Sequence, residues 1–351
     1  MNPSSSIGAS EGSATHSETL LGEICTCRVD AEHAGERLDR FLVSAFPSLS
    51  RSRVQDLIER GRVKVDGVAC KRSHRVNAGE SIAVEMLPPP AAGVEPEPIP
   101  LEILYQDEDV AVVNKPAGMI VHPGARAGTG TLVSALLNRF GGSAGLSSIG
   151  GPLRAGIVHR LDKGTSGALV IALNDAAHKN LVEQFSRRLV QKTYIALLHG
   201  RIKGDSGTVE MPIARDLRRR SRMTARRREG RAARTDWRVL ARIDGFSLVE
   251  ASLHTGRTHQ LRVHFSALGC PVVGDTLYGA PRQERTGTAT LADPGRNFLH
   301  AARIRFSQPR TGARIDVRAP LPTALREYLS ALVVALNIDP AAIDVALRSF
   351  L

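Results

Sequence analysis

The chain has 351 residues, 42% of them hydrophobic, and is therefore long enough for two domains with buried cores. Its formal net charge of +12 predicts a polyanionic partner, because Lys and Arg neutralise phosphate groups and release their counterions. A generally cationic surface without such a partner is the alternative. The four cysteines include no Cys-x-x-Cys pair, which disfavours a disulfide framework or a structural zinc site and fits a reducing cytoplasm.

Residues 1–20 are rich in Ser, Gly, Thr and Glu. They lack the basic start and the apolar run of a signal peptide, and we expect a disordered tail. No stretch of about 18 apolar residues occurs in the sequence, which predicts a protein without a membrane span.

Residues 21–86 have the pattern of a small domain with two helices and a short sheet. The first helix has an apolar face at i, i+3, i+4 and i+7 from Leu38, and it ends before Pro47. The second helix follows Ser50 as its N-cap and is closed by Gly61. An alternating strand then enters the turn Asp66-Gly67.

Basic side chains are concentrated on the polar side of this first domain, which predicts an RNA-binding face. The residues proposed to contact RNA there are Arg37, Arg51, Arg53, Arg62 and Lys64. A small structural domain with solvated arginines is the alternative. The next stretch, 87–100, reads LPPPAAGVEPEPIP, and its six prolines predict a stiff linker between domains.

Residues 101–338 predict a larger α+β domain on a mixed, mainly antiparallel central sheet. Two short strands flank the turn at 106–109, and the continuous apolar run Gly167–Leu173 predicts a buried strand. Helices are expected over Thr131–Phe140, over Asn174–Leu189 and from Pro322. Residues 339–351 predict a short terminal helix or tail.

The segment His159-Arg160-Leu161-Asp162 lies in a polar loop between two apolar segments, where rigid scaffolds often hold working groups. Basic neighbours on both sides favour the charged form of the Asp162 carboxylate, which could then act as a nucleophile or stabilise a cation. The alternative is an ordinary turn, because Asp-Lys-Gly is common turn chemistry. Local spacing alone favours the turn.

Three further segments carry polar groups. His254, His259 and His264 are spaced by five, which suits neither one strand face nor one helix face and predicts no metal site; a solvated polar strand is the alternative here. Tyr194 could stack on a nucleobase or simply pack in the core. Ten arginines between Arg215 and Arg234 predict a disordered basic insert or an RNA clamp. No nucleotide-cofactor motif occurs in the sequence.

Taken in order, several motifs resemble the RluA/RluD family of pseudouridine synthases. They are Asn114-Lys115-Pro116, Val121-His122-Pro123, Ala155–Lys163 with Thr165-Ser166-Gly167, Lys192-Thr193-Tyr194, Gly256–His264, Gly274-Asp275 and Tyr278-Gly279. The first domain resembles an S4 RNA-binding domain through Glu36–Asp39, Ser50-Arg51-Ser52 and Gly61–Gly67. With that domain and the proline-rich join, the chain is most similar to the RluD branch, which modifies the helix 69 stem-loop of 23S ribosomal RNA.

The resemblance implies the reaction and the roles of several residues. The uracil–ribose bond is broken, the base turns over, and carbon 5 of uracil is joined to the same ribose carbon, without a cofactor or a metal. Asp162 matches the catalytic aspartate, and Arg262 matches the arginine that pairs with it. Tyr194 matches the tyrosine that packs on uracil and helps to remove its carbon-5 proton. Arg160 matches the arginine that fills the space of the flipped uridine.

Three more residues of these motifs, His159, Arg257 and His259, are predicted to contact RNA. Gly164 departs from the family, which commonly has Asp at that position, and loop rigidity is expected to differ. The implied partner is 23S ribosomal RNA or a pre-50S particle, bound by a cytoplasmic monomer. A non-catalytic ribosome assembly factor with the same basic surface is the alternative, and a metal-dependent nuclease is disfavoured by the scattered carboxylates.

Overall fold

The computed structural model describes residues 24–47, 49, 51–86, 94–123, 129–219, 221–225, 229–286, 289–339 and 341–348. The predicted tail 1–20, the N-cap Ser50 and residues 87–93 of the predicted linker lie outside them. The chain divides into two compact units, with the division after Ala92. Within the described ranges, no helix is both long enough and apolar enough to cross a membrane.

The first unit packs two helices against a small antiparallel sheet in its described part. The helices are α1 (Leu38–Ala45) and α2 (Arg51–Glu59). The strands are β1 (Ile24–Arg28), β2 (Val63–Val65), β3 (Val68–Ala69) and β4 (Ser81–Glu85), in the order β1-β4-β2-β3.

The apolar spacing of both helices fixes which side of each is buried in the first unit. One core joins the helices to the sheet, and its members include Leu38, Phe41, Leu42, Val54, Leu57, Ile58, Val63, Val65, Ile82 and Val84. The helix positions recur every three or four residues, as predicted. Gly61 ends α2 at a φ of 68°, a left-handed backbone conformation that glycine adopts without a steric penalty.

The second unit is built on a mixed sheet. Its described strands are β5 (Glu102–Gln106), β6 (Val110–Lys115), β7 (Ser166–Ala172), β8 (Gln191–His199), β9 (Ser206–Glu210), β10 (Ala214–Arg215), β11 (Met223–Thr224), β12 (Arg234–Ile243), β13 (Phe246–Leu253), β14 (Gln283–Thr286), β15 (Ala289–Ala292), β16 (Leu299–Ser307) and β17 (Arg314–Arg318). The main sheet has the order β5-β6-β7-β16-β8-β13-β12-β9, with β17 paired to β16. Only β7 and β16 pair in parallel among these described strands, so the prediction of a mixed, mainly antiparallel sheet is confirmed.

Helices cover this sheet and complete its core. They are α3 (Leu132–Arg139), α4 (Asp175–Ser186), α5 (Gln260–Ala267), α6 (Thr323–Ala335) and α7 (Ala341–Leu347). The predicted helices at α3, α4 and α6 are confirmed to within a few residues. The alternative of a solvated strand for the histidine-containing run is wrong, because Gln260–Ala267 is helical and buries Leu261, Val263 and Phe265.

Glycine at position 167 allows β7 and β16 to lie close together. Gly167 has a φ of 117°, and a Cβ atom there would lie 2.3 Å from the carbonyl oxygen of Ala301. Every residue of β7 is buried. This strand therefore fixes the end of the loop that carries Asp162.

Candidate active site

A cavity of about 480 Å³ lies in the second unit, and we call it the Asp162 cavity. The loop before β7, the start of β8, the loop after β13 and the first turns of α5 contribute to its wall. Its charged lining residues among those described are Arg160, Asp162, Arg188, Lys192, Arg257 and Arg262. One carboxylate therefore faces five cations, an arrangement that favours an anionic ligand next to a single acidic group.

Asp162 occupies a turn, as its local spacing predicts, and its side chain also faces this cavity. Its backbone carbonyl accepts a hydrogen bond from the amide of Thr165 at 3.1 Å, which closes the turn. A second loop supports it, because the amide of Gly118 donates to the carbonyl of Lys163 at 2.8 Å. The side chain of Asp162 is 18% exposed, and its Oδ2 accepts from Nη1 of Arg262 at 3.4 Å.

Arg262 extends from α5 and contacts two carboxylates. Its Nε and Nη2 donate to Asp275 at 2.6 and 2.8 Å, in addition to the longer contact with Asp162. Its guanidinium carbon lies 4.9 Å from the centre of the Tyr278 ring. Burial acts to lower the pKa of Arg262, but the hydrogen bond to Asp275 and the two negative charges outweigh it and raise the pKa. Arg262 thus stays charged beside Asp162.

Residues of the Gly274–Gly279 segment hold this arginine in place. The Asp275 side chain is only 1% exposed, and its two oxygens form a bidentate pair with Arg262. The hydroxyl of Tyr278 accepts a hydrogen bond from the amide of Met223 at 2.9 Å and lies 2.7 Å from Nδ1 of His259. Sequence reasoning assigned no role to Asp275. The Gly274-Asp275 motif was an available signal, but its spacing does not indicate a contact with Arg262.

The N-terminus of α5 is fixed by the buried side chain of Gln260. Its Oε1 accepts from the hydroxyl of Thr255 at 2.7 Å and from the amide of Arg257 at 3.1 Å. Its Nε2 donates to the carbonyl of Arg234 and to the hydroxyl of Thr235, at 2.9 and 3.0 Å. All the hydrogen-bonding groups of this amide are used, which sets the direction in which α5 presents Arg262.

Tyr194 lies on β8, and its ring lines the Asp162 cavity while the residue is only 6% exposed. Burial, followed by the negative charge of Asp162, raises the pKa of its phenol. The hydroxyl is therefore protonated in the resting site. This favours packing against a planar ligand over immediate proton abstraction.

With this geometry in hand, comparison with known proteins identifies the family. Profiles described as "RNA pseudouridylate synthase" and "S4 domain" match residues 109–267 and 36–82. The chain is 43% identical over 301 residues to "Uncharacterized RNA pseudouridine synthase YlyB" of Bacillus subtilis (strain 168), covering 86% of this chain and 95% of that protein. The chain belongs to the RNA pseudouridine synthase family. The resemblance seen in the sequence is thus confirmed.

Two further comparisons agree with this assignment. The synthase is 40% identical over 321 residues to "Ribosomal large subunit pseudouridine synthase D" of Xanthomonas campestris pv. campestris, covering 90% of this chain and 95% of that protein. The solved structure of "Human RNA Pseudouridylate Synthase Domain Containing 4" has a TM-score of 0.51 and 28% identity, covering 68% of this chain and 94% of that one. The chain is an isomerase that acts on RNA, and its fold is an S4 domain followed by a synthase domain.

The other residues predicted to contact RNA in the synthase domain differ in how available they are. Arg160 is exposed where it lines the cavity. His159 is more constrained: its Nε2 accepts from the amide of Val170 at 3.0 Å, and its ring centre lies 4.7 Å from that of Phe185. Burial, and then the charge of Lys192, lowers the pKa of His159 to about 3. Its imidazole is neutral and part of the wall.

His259 and Arg257 flank the first turn of α5. His259 has a φ of 57° and directs Nδ1 to the Tyr278 hydroxyl. It therefore supports the tyrosine ring that packs on Arg262. Nε of Arg257 donates to the carbonyl of Ala232 at 3.1 Å, and no carboxylate among the described residues forms an ion pair with its terminal nitrogens. RNA contact by either residue stays a prediction.

Most of the basic residues predicted for the S4 domain already have acidic partners. Arg37 and Arg51 donate to the fully buried carboxylate of Asp39, at 2.9 and 3.3 Å. Arg62 donates to both oxygens of Glu85, at 2.9 Å each. Lys64 is exposed, and the side chain of Arg53 lies outside the described residues. RNA contact by these residues also stays a prediction.

Sequence reasoning missed the fully buried lysine of the Asn114-Lys115-Pro116 motif. Nζ of Lys115 donates to the carbonyls of Pro116 and Met119, at 2.8 and 2.9 Å. Burial, and then the charge of Arg296, lowers its pKa to about 7, against the opposing attraction of Asp162. A lone lysine in a motif gives no sign of burial, because lysine is usually exposed.

The departure at Gly164 has a structural counterpart. A Cβ atom at this position would lie 2.8 Å from Oδ1 of Asn297. That oxygen is buried and has no hydrogen-bond partner among the described residues. Asn297 therefore occupies the space into which a larger residue at position 164 would project.

Proposed function

We propose that this synthase converts uridines of 23S ribosomal RNA to pseudouridine, in the helix 69 stem-loop, as a cytoplasmic monomer acting on free RNA or on a pre-50S particle. A relative 40% identical over most of the chain is named for the ribosomal large subunit, which supports this target. The S4 domain and the net charge of +12 support a structured polyanionic partner.

The single observation that carries the mechanism is the position of Asp162 beside Arg262 in a cationic cavity. In the proposed reaction, the bond between N1 of uracil and C1′ of ribose breaks, and Asp162 either attacks C1′ or removes a sugar proton to give a glycal. The released base rotates and C5 bonds to C1′. In the first route this bond replaces the Asp162–C1′ ester bond, and in the second Asp162 returns the proton to the sugar carbon it came from. N1 gains a proton and C5 loses one. Both routes develop positive charge on the sugar, which the carboxylate stabilises.

The neighbouring side chains have complementary roles in this proposal. Arg262 orients Asp162 through their contact, and Asp275 holds Arg262 through two hydrogen bonds. Tyr194 packs on the uracil face; its raised pKa means that removal of the C5 proton requires a base to take the phenolic proton first. Arg160 fills the space left by the extruded uridine, which lowers the cost of flipping.

The test is a map of pseudouridine in the RNA of cells that lack this protein, repeated after complementation with wild type or Asp162→Asn. Asp205→Asn is the matched control, because that carboxylate is 93% exposed and lies outside the cavity. We expect sites in helix 69 to be lost and then restored by wild type and the control only. Lost sites confined to other RNAs would refute the target, and restoration by Asp162→Asn would refute the role of Asp162.

A further inference from the structure

Two cations of the Asp162 cavity have no role in the chemistry described above. Lys192 lies on β8 two residues before Tyr194, so both side chains point to the same face of the sheet, about 7 Å apart along the strand. Arg188 lies in the turn after α4, where the Leu189 amide donates to the carbonyl of Gln184 at 2.9 Å. Among the described residues, neither forms an ion pair with a carboxylate.

These two cations line the Asp162 cavity together with a third, Arg257, and Nζ of Lys192 lies 3.9 Å from the position of a Cβ atom at the neighbouring Gly256. The pKa of Arg257 is lowered by burial and then by repulsion from Arg231 and Arg188. Burial lowers the pKa of Lys192 to about 8, and its Nζ lies 5.6 Å from the centre of the Phe185 ring. Lys192 and Arg257 are partly buried and Arg188 is exposed. Desolvation of the two partly buried cations is costly, and an anion between the three groups would offset that cost.

We propose that Lys192, Arg188 and Arg257 form a phosphate subsite that binds the backbone phosphate adjoining the target uridine. The inference rests on the proposed placement of that uridine against Asp162 and Tyr194. A separation of about 7 Å between Tyr194 and Lys192 is on the scale of one nucleotide, so a base on Tyr194 would bring its own backbone to Lys192.

An adjoining cavity provides a path for the RNA strand beyond this subsite. It has a volume of about 640 Å³ and shares Arg188, Val190, Lys192, Leu253 and His254 with the Asp162 cavity.

The other cations of the adjoining cavity differ from Lys192. Arg238 forms a bidentate pair with Glu250, and Arg303 and Arg305 contact Asp316. Their charge is already compensated, which leaves the unpaired Lys192 and Arg188 as the stronger anchors for a phosphate.

The first test measures binding without turnover, in the full chain carrying Asp162→Asn. The RNA is the fragment that the wild-type protein converts in the mapping experiment. Lys192→Met is expected to weaken binding about tenfold and to reduce the slope of log affinity against log salt by about 0.7. Lys192→Arg should retain most of the affinity and most of the salt slope. Lys179→Met, an exposed lysine on α4 outside the cavity, should change neither.

A chemical change in the RNA identifies the phosphate. An uncharged methylphosphonate at one of the two phosphates flanking the target should weaken binding about tenfold with Lys192 present, and cause little further loss with Lys192→Met. The proposal is overturned if, at both flanking phosphates, the methylphosphonate weakens binding by the same factor with Lys192→Met as with Lys192 present. It is also overturned if Lys179→Met weakens binding as much as Lys192→Met.

A second measurement does not depend on catalysis or on the RNA target. Acetylation of lysines in the wild-type chain, quantified for each peptide, should be slowed at Lys192 by uridine 3′- or 5′-monophosphate but not by uridine. Equal acetylation of Lys192 with all three compounds overturns the subsite. If the mapping finds no lost uridine while this protection is observed, the proposed target fails and the phosphate subsite stands.

Discussion

The substitution Asp275→Asn tests whether Asp275 acts on Asp162 by holding Arg262, which contacts both carboxylates. Asp275 binds Arg262 through two short hydrogen bonds, whereas Asp162 contacts the same guanidinium once, at 3.4 Å. Asn preserves the size of the side chain but removes its charge. Arg262, which is 12% exposed, would then have Asp162 as its only described carboxylate contact.

Both a stability cost and a kinetic cost follow from this geometry. Removing one partner from a buried ion pair costs about 3–5 kcal/mol, and we expect the lower end because Asn can still accept one hydrogen bond. In a unit of this size, about 3 kcal/mol corresponds to a decrease in Tm of roughly 6–12 °C. A displacement of Arg262 by about 1 Å would lower kcat about a hundredfold. KM for RNA should change by less than about threefold, because Asp275 does not line the cavity.

The assay combines thermal unfolding with single-turnover conversion of the substrate RNA. Asp316→Asn is the matched control, because Asp316 also pairs with Arg303 through Nε and Nη2 but is 33% exposed and lies outside the Asp162 cavity. We expect the control to retain kcat. An unchanged kcat in Asp275→Asn, with the protein folded, would refute the idea that Asp275 positions Arg262 for catalysis.

Three other predictions follow from single contacts. Tyr194→Leu should lower the single-turnover rate about tenfold more than Tyr194→Phe, because Phe keeps the ring; equal rates would argue against ring packing. Gly167→Ala should destabilise the synthase domain by about 3 kcal/mol or more in urea unfolding, since its Cβ would meet the Ala301 carbonyl. Hydrogen bonds, first from Arg37, lower the pKa of Asp39 from 3.8 to about 2. The free energy of unfolding of the S4 domain should therefore fall by about 2 kcal/mol as the pH falls from about 4 to 2. Acid titration of the wild type, with Asp39→Asn as the reference, measures this loss.

Much of the fold was predictable because it follows local periodicity. The apolar spacing from Leu38 gave α1, and the uninterrupted apolar run after Ser166 gave the buried strand β7. The helix α5 was not predicted from spacing. Its polar residues Gln260 and His264 are buried through hydrogen bonds to other parts of the chain, so the apolar pattern that identifies a helix is weak there.

The candidate site was predictable only where an ordered set of motifs added to local pattern. Spacing alone favoured a turn at Asp162. The turn is present, and the Asp162 side chain is also 18% exposed at the cavity. Two features depend on contacts between distant elements. Arg262 pairs with Asp275, and Lys192 has no carboxylate partner in the part of the chain that the structure describes. Charge in a sequence does not reveal which cations are neutralised after folding, and that difference separates Lys192 from Arg303.

The unequal sharing of Arg262 between two carboxylates has a chemical consequence for the proposed reaction. If Arg262 instead formed a bidentate pair with Asp162, through two of its guanidinium nitrogens, lone pairs on both oxygens of that carboxylate would be occupied. The nucleophilicity of the Asp162 carboxylate would then be reduced. Because Asp275 takes the bidentate position, Arg262 contacts Asp162 only once, at 3.4 Å, and the remaining lone pairs of Asp162 can reach the sugar. The fully buried carboxylate thus fixes the arginine, and the partly exposed one is left to react.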